Sequence, residues 1–451
     1  MKHHATPLLV AIVLLLTGVS CEGWLHVQPT SKIEAEKFLQ EESGFKAVLT
    51  GLYNQLKHGN LFGETLTIGL PEHMVSHWDA SEGSENANVN KHYYKDTYTE
   101  RTLDSIFLGL YRVIAEANLV LQHIDNNQAV FADATRYKIA KGEALGTRAF
   151  CHLELLRWWG PIPGTQTGAR MLPYPRVISK TPHEYLTYAA YTALLLEDLD
   201  EAQRLLKEAD PIYTGNKTGD SFYDLNRQSR VNYYAVTAMK ARFHLWNGDK
   251  PAAAAAAREV IDATGKFSLA NKSDFASPST YILPTEHIFE LELYYLADLV
   301  PRFRANYLKD QVSIMRIFGL NFADVRYVNW WGDYIEEGQY LYIFKKYIQS
   351  HSGKIPLIRL SELYLIAIEC GDPGAQDLYN LYCDTRGTLQ NPLTVGLQNT
   401  LLTEYNREFY GEGQLFFQYK RLSVTDMFFS TPITNLPAAY VMPLPQSEII
   451  L

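Results

Sequence analysis

Residues 233–261 read YYAVTAMKARFHLWNGDKPAAAAAAREVI, and this stretch decides the fold. Tyr233 to Trp246 contains neither Gly nor Pro and predicts a helix. Asn247-Gly248-Asp249 ends it: Gly248 can take the left-handed conformation that terminates a helix, and Asp249 can cap the next one. Pro251 fits a first helical turn, where no amide hydrogen is needed, and the alanine-rich run to Ile261 continues the second helix. Ile358 to Cys370 repeats this grammar, ending at Gly371-Asp372 before Pro373 and a helix running to Arg386.

Outward from these hairpins the helical period persists. Leu103, Ile106, Phe107, Leu110, Tyr111, Ile114, Leu121 and Ile124 lie along one stripe. Ala132 to Trp159 predicts a further helix, which Gly160-Pro161-Ile162-Pro163 must end. Thr181-Pro182-His183-Glu184 reads as a capping box opening a helix to about Ala209. Paired helices with tight turns and small residues at the crossings resemble tetratricopeptide-type units, interrupted and irregular. The fold class is therefore mainly α, a helical-hairpin scaffold with an irregular, loop-rich remainder. Three stretches lack sustained helical stripes: residues 61–99, 213–228 and 281–347. Their length points to function rather than simple connection.

The N-terminus begins weakly positive at Lys2-His3-His4, followed by an apolar run from Leu8 to Leu16. Thr17-Gly18-Val19-Ser20 then leads into Cys21, which reads as a lipoprotein export signal over residues 1–20. Cleavage before Cys21 leaves a thiol for diacylation, and the lipid anchors the mature chain, residues 21–451, to a membrane. The apolar run is shorter than the roughly 20 residues a spanning helix needs. Beyond Cys21 the cysteines are Cys151, Cys370 and Cys383, without a C-x-x-C, so buried thiols are expected rather than a disulfide framework or structural zinc.

The 451 residues are 47% hydrophobic and 20% charged, enough apolar material for a large core. A net charge of -9, with both signs mixed, offers no positive field for a nucleic-acid backbone. H-E-x-x-H, G-x-S-x-G and Walker loops are absent, which excludes the common protease, esterase and nucleotide-hydrolase signatures. A glycosidase escapes that exclusion, because its two carboxylates need only spatial proximity. Glu362, Glu404 and Glu408 are read as scaffold residues that pair with Arg359 and Arg407, cap helices or face water.

A series of ordered motifs resembles the SusD/RagB family of outer-membrane nutrient-binding lipoproteins. Cys21-Glu22-Gly23-Trp24-Leu25 is similar to the family's mature start. Gly142-Glu143-Ala144, Arg148-Ala149-Phe150 and Trp159-Gly160-Pro161-Ile162-Pro163 are similar to its long helix and turn. Arg359-Leu360-Ser361-Glu362-Leu363-Tyr364-Leu365-Ile366-Ala367 resembles "RL.E.YLI.AE". Glu404-Tyr405-Asn406-Arg407-Glu408 with Lys420-Arg421, then Val441-Met442-Pro443-Leu444-Pro445, resemble the closing motifs. Gly411-Glu412-Gly413-Gln414-Leu415 departs by lacking the family's arginine and tryptophan after the glycine. The resemblance implies one SusD-like body, with an N-terminal part over 21–228 and a C-terminal part over 229–451. It also implies residence on the outer membrane and a SusC-like TonB-dependent transporter that receives captured glycan. No cofactor and no catalysis are implied. A peptide ligand, a glycan-degrading lipoprotein and a pure assembly scaffold remain alternatives.

Sugars present faces of C–H bonds ringed by hydroxyls, so a binder needs flat aromatic platforms beside amides, carboxylates or guanidinium groups. Trp78-Asp79 followed by Asn86, Asn88, Asn90, Tyr93, Tyr94 and Tyr98 supplies that mixture. So do Phe222-Tyr223-Asp224 with Asn226 and Arg227, and, most densely, Arg326 to Tyr334. The expected ligand contacts are Trp78, Asn90, Tyr94, Trp330 and Trp331; adjacent Trp330 and Trp331, if on a strand, point to opposite faces. His73 and His77, four apart beside Glu72 and Asp79, have the spacing of a metal pair. Without a third ligand fixed by sequence, a surface or capping pair is the preferred reading.

Overall fold

In the computed structural model the described residues run from 37 to 449, except 79, 81, 295, 297–307, 320, 349–352, 395 and 431. Cys21 and the export signal lie outside them. Among the described residues, the helices of six residues or more are α1 (Glu42–Leu56), α2 (Thr97–Ile124), α3 (Ala134–Trp159), α4 (Tyr188–Ala209), α5 (Tyr233–Trp246), α6 (Lys250–Ile261), α7 (Gln311–Phe318), α8 (Val325–Trp330), α9 (Leu360–Glu369), α10 (Ala375–Arg386), α11 (Leu397–Glu408) and α12 (Leu415–Arg421). The strands are β1 (Arg170–Pro173), β2 (Tyr185–Thr187), β3 (His287–Glu292), β4 (Leu308–Lys309), β5 (Trp331–Glu336), β6 (Gln339–Phe344) and β7 (Lys354–Arg359). They form the antiparallel pairs β1-β2 and β3-β7 and a sheet ordered β4-β6-β5. The protein is mainly helical, as its periodicity predicts.

The hairpin over 233–261 forms as its residues dictate. The Asn232 side chain accepts from the Ala235 amide at 2.9 Å, Gly248 sits at φ 77°, Asp249 caps α6 at the Ala252 amide, and Pro251 lies in its first turn. The second hairpin differs at its edges. Ile358 and Arg359 belong to β7, so α9 begins only at Leu360. Pro373 falls short of α10, because the Asp372 carboxylate is held by the Gly374 amide at 2.7 Å and by Arg258 of α6 at 2.5 Å. The expected capping box is also corrected. Residues 181–184 are irregular, Tyr185 to Thr187 pair with β1, and α4 starts six residues later than expected, with Thr187 in place of Thr181 as its cap. Strand pairing to β1 takes the backbone groups that an earlier helix start would have used.

Each of α1 to α6 packs on the next, and α9, then α10, continue the row from α6. At its centre, α3 is buried at every position from Gly142 to Trp159. Gly142 and Gly146 allow its neighbours to approach: a Cβ there would lie 2.7 Å from Leu206 Cγ and 2.5 Å from Val231 Cγ1. Two buried charged groups of α3 are matched by partners. Glu143 receives Arg227, Arg230 and Tyr53; Arg148 forks onto Asp198 at 2.7 Å through both Nε and Nη2. The last carbonyls of a helix have no partners within it. Lys420 of α12 supplies one here, donating to the carbonyls of Arg157, Trp158 and Gly160 at 2.7, 3.1 and 2.8 Å. Its three ammonium hydrogens meet three acceptors at the negative end of α3, although burial pulls the group's pKa well below its ordinary value.

Between α6 and α9 the chain leaves the helical row. β3 and β7 pair as an antiparallel stem, and the excursion between them carries β4, α7, α8, β5 and β6. At the stem, burial alone would raise the Glu290 carboxyl, yet hydrogen bonds from His287 and Lys354 outweigh it and hold the group at about 2, below its ordinary 4.5. A depressed carboxyl contributes stability that is complete above the ordinary value and lost as pH falls through the folded one. Urea titrations between pH 5 and 2, at about half-unit steps, should therefore show the midpoint of the wild type falling more steeply than that of Glu290→Gln.

A buried ionic cluster joins this stem to α8, α10 and α11. Glu408 receives Arg359 at 2.8 Å, Arg386 at 2.8 Å and Arg326 at 3.1 Å. Burial opposes its charge, but the three guanidinium groups hold its pKa well below the ordinary carboxylate range. Arg359 also forks onto Glu412 at 2.9 Å and reaches Glu286 at 2.9 Å. Glu404 pairs with Arg407 at 3.0 Å and with Arg326, whereas Glu362 pairs with Arg242. The motif carboxylates thus serve the scaffold. Cys151 and Cys383 are buried, Cys370 is half-buried, and all three are free thiols.

Candidate functional site

The structure brings the expected tryptophans together, but inside the protein. Trp78 and Trp331 pack on the same two rings, Phe344 and Tyr410, at centroid distances of 5.1 to 6.3 Å, and Trp330 approaches Phe344 at 6.5 Å. Trp78 and Trp330 are fully buried and Trp331 nearly so. Trp330 closes α8 and Trp331 opens β5, so the change from helical to strand period at that junction lets both neighbours turn inward. Tyr94 is buried with its hydroxyl donating to the Ala439 carbonyl at 2.9 Å. Asn90 is half-buried, and its amide ties the His73 and Trp78 carbonyls at 2.8 and 3.1 Å. These five residues are corrected from ligand contacts to core and loop-tying groups.

The histidine pair is also reassigned. The helix bearing His73 ends at Met74, so His77 lies beyond it, fully buried. Its Nδ1 meets Glu72 and its Nε2 meets Asn406, both at 2.6 Å, and Glu72 in turn accepts from the Gly411 and Gly413 amides. This set fastens the Gly411-Glu412-Gly413 turn. Among the described residues no group of three His, Cys, Asp or Glu side chains is disposed to hold a metal. In the second expected stretch, Asp224 binds the Thr218 and Gly219 amides, and Arg227 is buried between Asp210 and Glu143.

An outward aromatic face does exist, on the sheet of the excursion. β5 and β6 form a hairpin through Glu337 and Gly338, whose φ values of 49° and 80° suit a two-residue turn. Its register sets Asp333 opposite Tyr342 and Ile335 opposite Tyr340, so these four side chains share one face. Tyr340 and Tyr342 lie 5.4 Å apart, Tyr342 and Tyr327 6.3 Å, and Tyr327 and Phe322 5.8 Å, each pair inclined by 49° or more. Phe322 is 65% exposed, Ile335 71% and Tyr340 51%. A hydrogen bond to the Asp333 carboxylate pushes the Tyr340 phenol up to about 12. At the foot of the arc a pocket of about 110 Å³ is lined by Met315, Phe318, Asn321, Phe322, Tyr327 and Tyr342, among others.

Chemically this face offers inclined rings for apolar C–H surfaces, beside phenol, amide and carboxylate groups for hydroxyls. An exposed patch of this kind marks an interaction surface. Tyr327 lies within the dense stretch read from sequence, while Phe322, Tyr340 and Tyr342 were missed. The available signal was the Glu337-Gly338 turn followed by alternation in Gln339 to Phe344, which places Tyr340 and Tyr342 on one side.

A family model for SusD-like proteins, described as starch-binding and associating with the outer membrane, matches residues 23–245. A SusD-like protein of Formosa agariphila is 24% identical over 321 residues, covering 69% of this chain and 56% of the relative. The chain spans about half the length of the curated relatives it matches. A SusD superfamily protein from Bacteroides thetaiotaomicron superposes with a TM-score of 0.73 at 20% identity, over 91% of this chain and 98% of that one. A SusD-like carbohydrate binding protein from Bacteroides vulgatus superposes with a TM-score of 0.67 at 19% identity, over 85% and 83%. Among the described residues no helix is long and apolar enough to cross a membrane. With the motifs in order, the helical row with its excursion, and these matches, the chain belongs to the SusD-like family.

Proposed function

We propose that this protein is a non-catalytic lipoprotein, held on the outer membrane through acylated Cys21, that captures glycan and delivers it to a SusC-like TonB-dependent transporter. The observation that carries the reading is the arc of exposed Phe322 and Tyr340 with half-buried Tyr327 and Tyr342 between them, beside Asp333. Support comes from the family description, starch-binding, and from the carbohydrate-binding relative of like fold. The motif carboxylates are bound up in buried ion pairs, which favours capture over hydrolysis.

Covering an aromatic ring on binding contributes about 1–2 kcal/mol. Tyr327→Ala with Tyr342→Ala should therefore weaken oligosaccharide binding roughly a hundredfold by calorimetry, with the helical dichroism unchanged. Unchanged affinity would remove the arc from the site. Binding of peptides alone would transfer the reading to a peptide ligand, and release of shortened glycan products would overturn the non-catalytic one.

A further inference from the structure

We infer that the aromatic arc is one end of a longer trough that takes a neutral glycan chain of several sugar units, with α11 supplying its continuation. The inference rests on the glycan reading above. The pocket at the foot of the arc, about 110 Å³, is well below the roughly 300–1,000 Å³ of sites that enclose a ligand, so it can hold only part of one. It does not stand alone. Asn321 lines both that pocket and a neighbouring hollow of about 360 Å³. Asn399 and Thr403 line that hollow and a third of about 780 Å³, which Gln398, Ser423 and Thr425 extend. Shared lining residues set the three hollows side by side, aromatic at one end and polar beyond, where one extended chain could lie across them.

The chemistry of the path fits polyol rather than charged polymer: the far hollow carries one charged group of each sign, Arg316 and Asp426, among uncharged amides and hydroxyls. Asn399 and Thr403 are four apart on α11 and present amide and hydroxyl to the same side. The Asn399 amide makes no hydrogen bond within the described residues, leaving donor and acceptor for a ligand. The charged groups lining the middle hollow, Glu404 and Arg407, are bonded to each other at 3.0 Å. Arg407 also donates to the Ile317 carbonyl at 2.8 Å. Their charges are spent within the protein, so the middle of the path exerts little net pull on an ionic chain.

The test is calorimetry on the mature chain with length-graded oligomers, two to seven units long, of α-1,4-glucan, β-1,4-glucan, β-1,3-glucan and β-1,4-mannan, plus oligogalacturonates. For the backbone that binds, Kd is expected to fall with length to at least about five units. Asn399→Ala with Thr403→Val should raise the hexamer Kd by about tenfold and leave the dimer Kd unchanged. Asn399→Trp, which fills the hollow from an exposed helical position, should give the same length-selective loss. Affinity independent of length, or hexamer binding unaffected in both variants while the arc variant abolishes it, overturns the trough and leaves the arc standing. Tighter binding of oligogalacturonates overturns the neutral assignment. Failure of the wild type to bind any oligomer overturns the glycan reading itself.

Discussion

Arg359→Met should leave the mature chain largely unfolded or reduced to a fraction of its stability. The Arg359 guanidinium donates to Glu286, Glu408 and Glu412, all in the interior, and its removal leaves three buried carboxylates short of compensation at once. Breaking one buried pair costs about 3–5 kcal/mol, because the remaining charge has neither water nor partner. Whole-protein stabilities are about 5–15 kcal/mol, so a loss at or beyond the upper end of that range consumes most of it. Arg386 still serves Glu286 and Glu408, and Lys346 still serves Glu412, which limits the damage to less than three full penalties. Arg359→Lys keeps the charge but not the planar fork and should fall between. Urea unfolding followed by dichroism reads the effect; a midpoint within experimental error of wild type would show that the cluster is held by other means.

Trp330→Ala should destabilise the protein by about 3–5 kcal/mol while leaving the ligand affinity of the folded fraction unchanged. The indole is fully buried, 5.3 Å from Phe275 and 6.5 Å from Phe344, with Lys346 Nζ 4.1 Å above its ring. Deleting it opens a void that the ionic cluster beneath cannot fill with apolar atoms. The outcome is the reverse of that for Tyr327 and Tyr342, half-buried at the edge of the core, whose removal should weaken capture roughly a hundredfold at a smaller cost in stability than that of Trp330. Calorimetry below the unfolding transition, paired with thermal denaturation, separates the two. Loss of affinity in folded Trp330→Ala protein would return that residue to the site.

These contrasts mark where the sequence could and could not be read. Helix ends were legible because their causes are local: Gly248 at positive φ, Asp249 on the Ala252 amide and Pro251 in the first turn act within a few residues. The pairing of Glu404 and Glu408 with Arg407 and Arg359 was legible as well. The position of Thr187 as the α4 cap was not, because β1, over ten residues upstream, takes the preceding segment into a strand pair. The tryptophans were misplaced for a related reason. Aromatic residues serve cores and binding faces equally, and which way Trp330 and Trp331 turn is fixed by the junction between α8 and β5 and by Phe344 and Tyr410, far apart in sequence. The alternation that puts Tyr340 and Tyr342 on one side is local, but their importance lies in the contact of Tyr342 with Tyr327 of α8, a relation no local pattern carries.

The β3-β7 stem has an evolutionary consequence. Antiparallel pairing fixes both ends of the excursion where they meet the helical row, and Trp331 and Phe344 root the β5-β6 hairpin in the interior, so the part free to change is the outer hairpin from Asp333 to Tyr342. For a flexible segment closed at its ends, doubling the length costs only about 0.6 kcal/mol of additional closure entropy. Descendants of such a protein can lengthen, trim or exchange that outer part of the hairpin and so retarget what they recognise, without renegotiating the interior that keeps them folded.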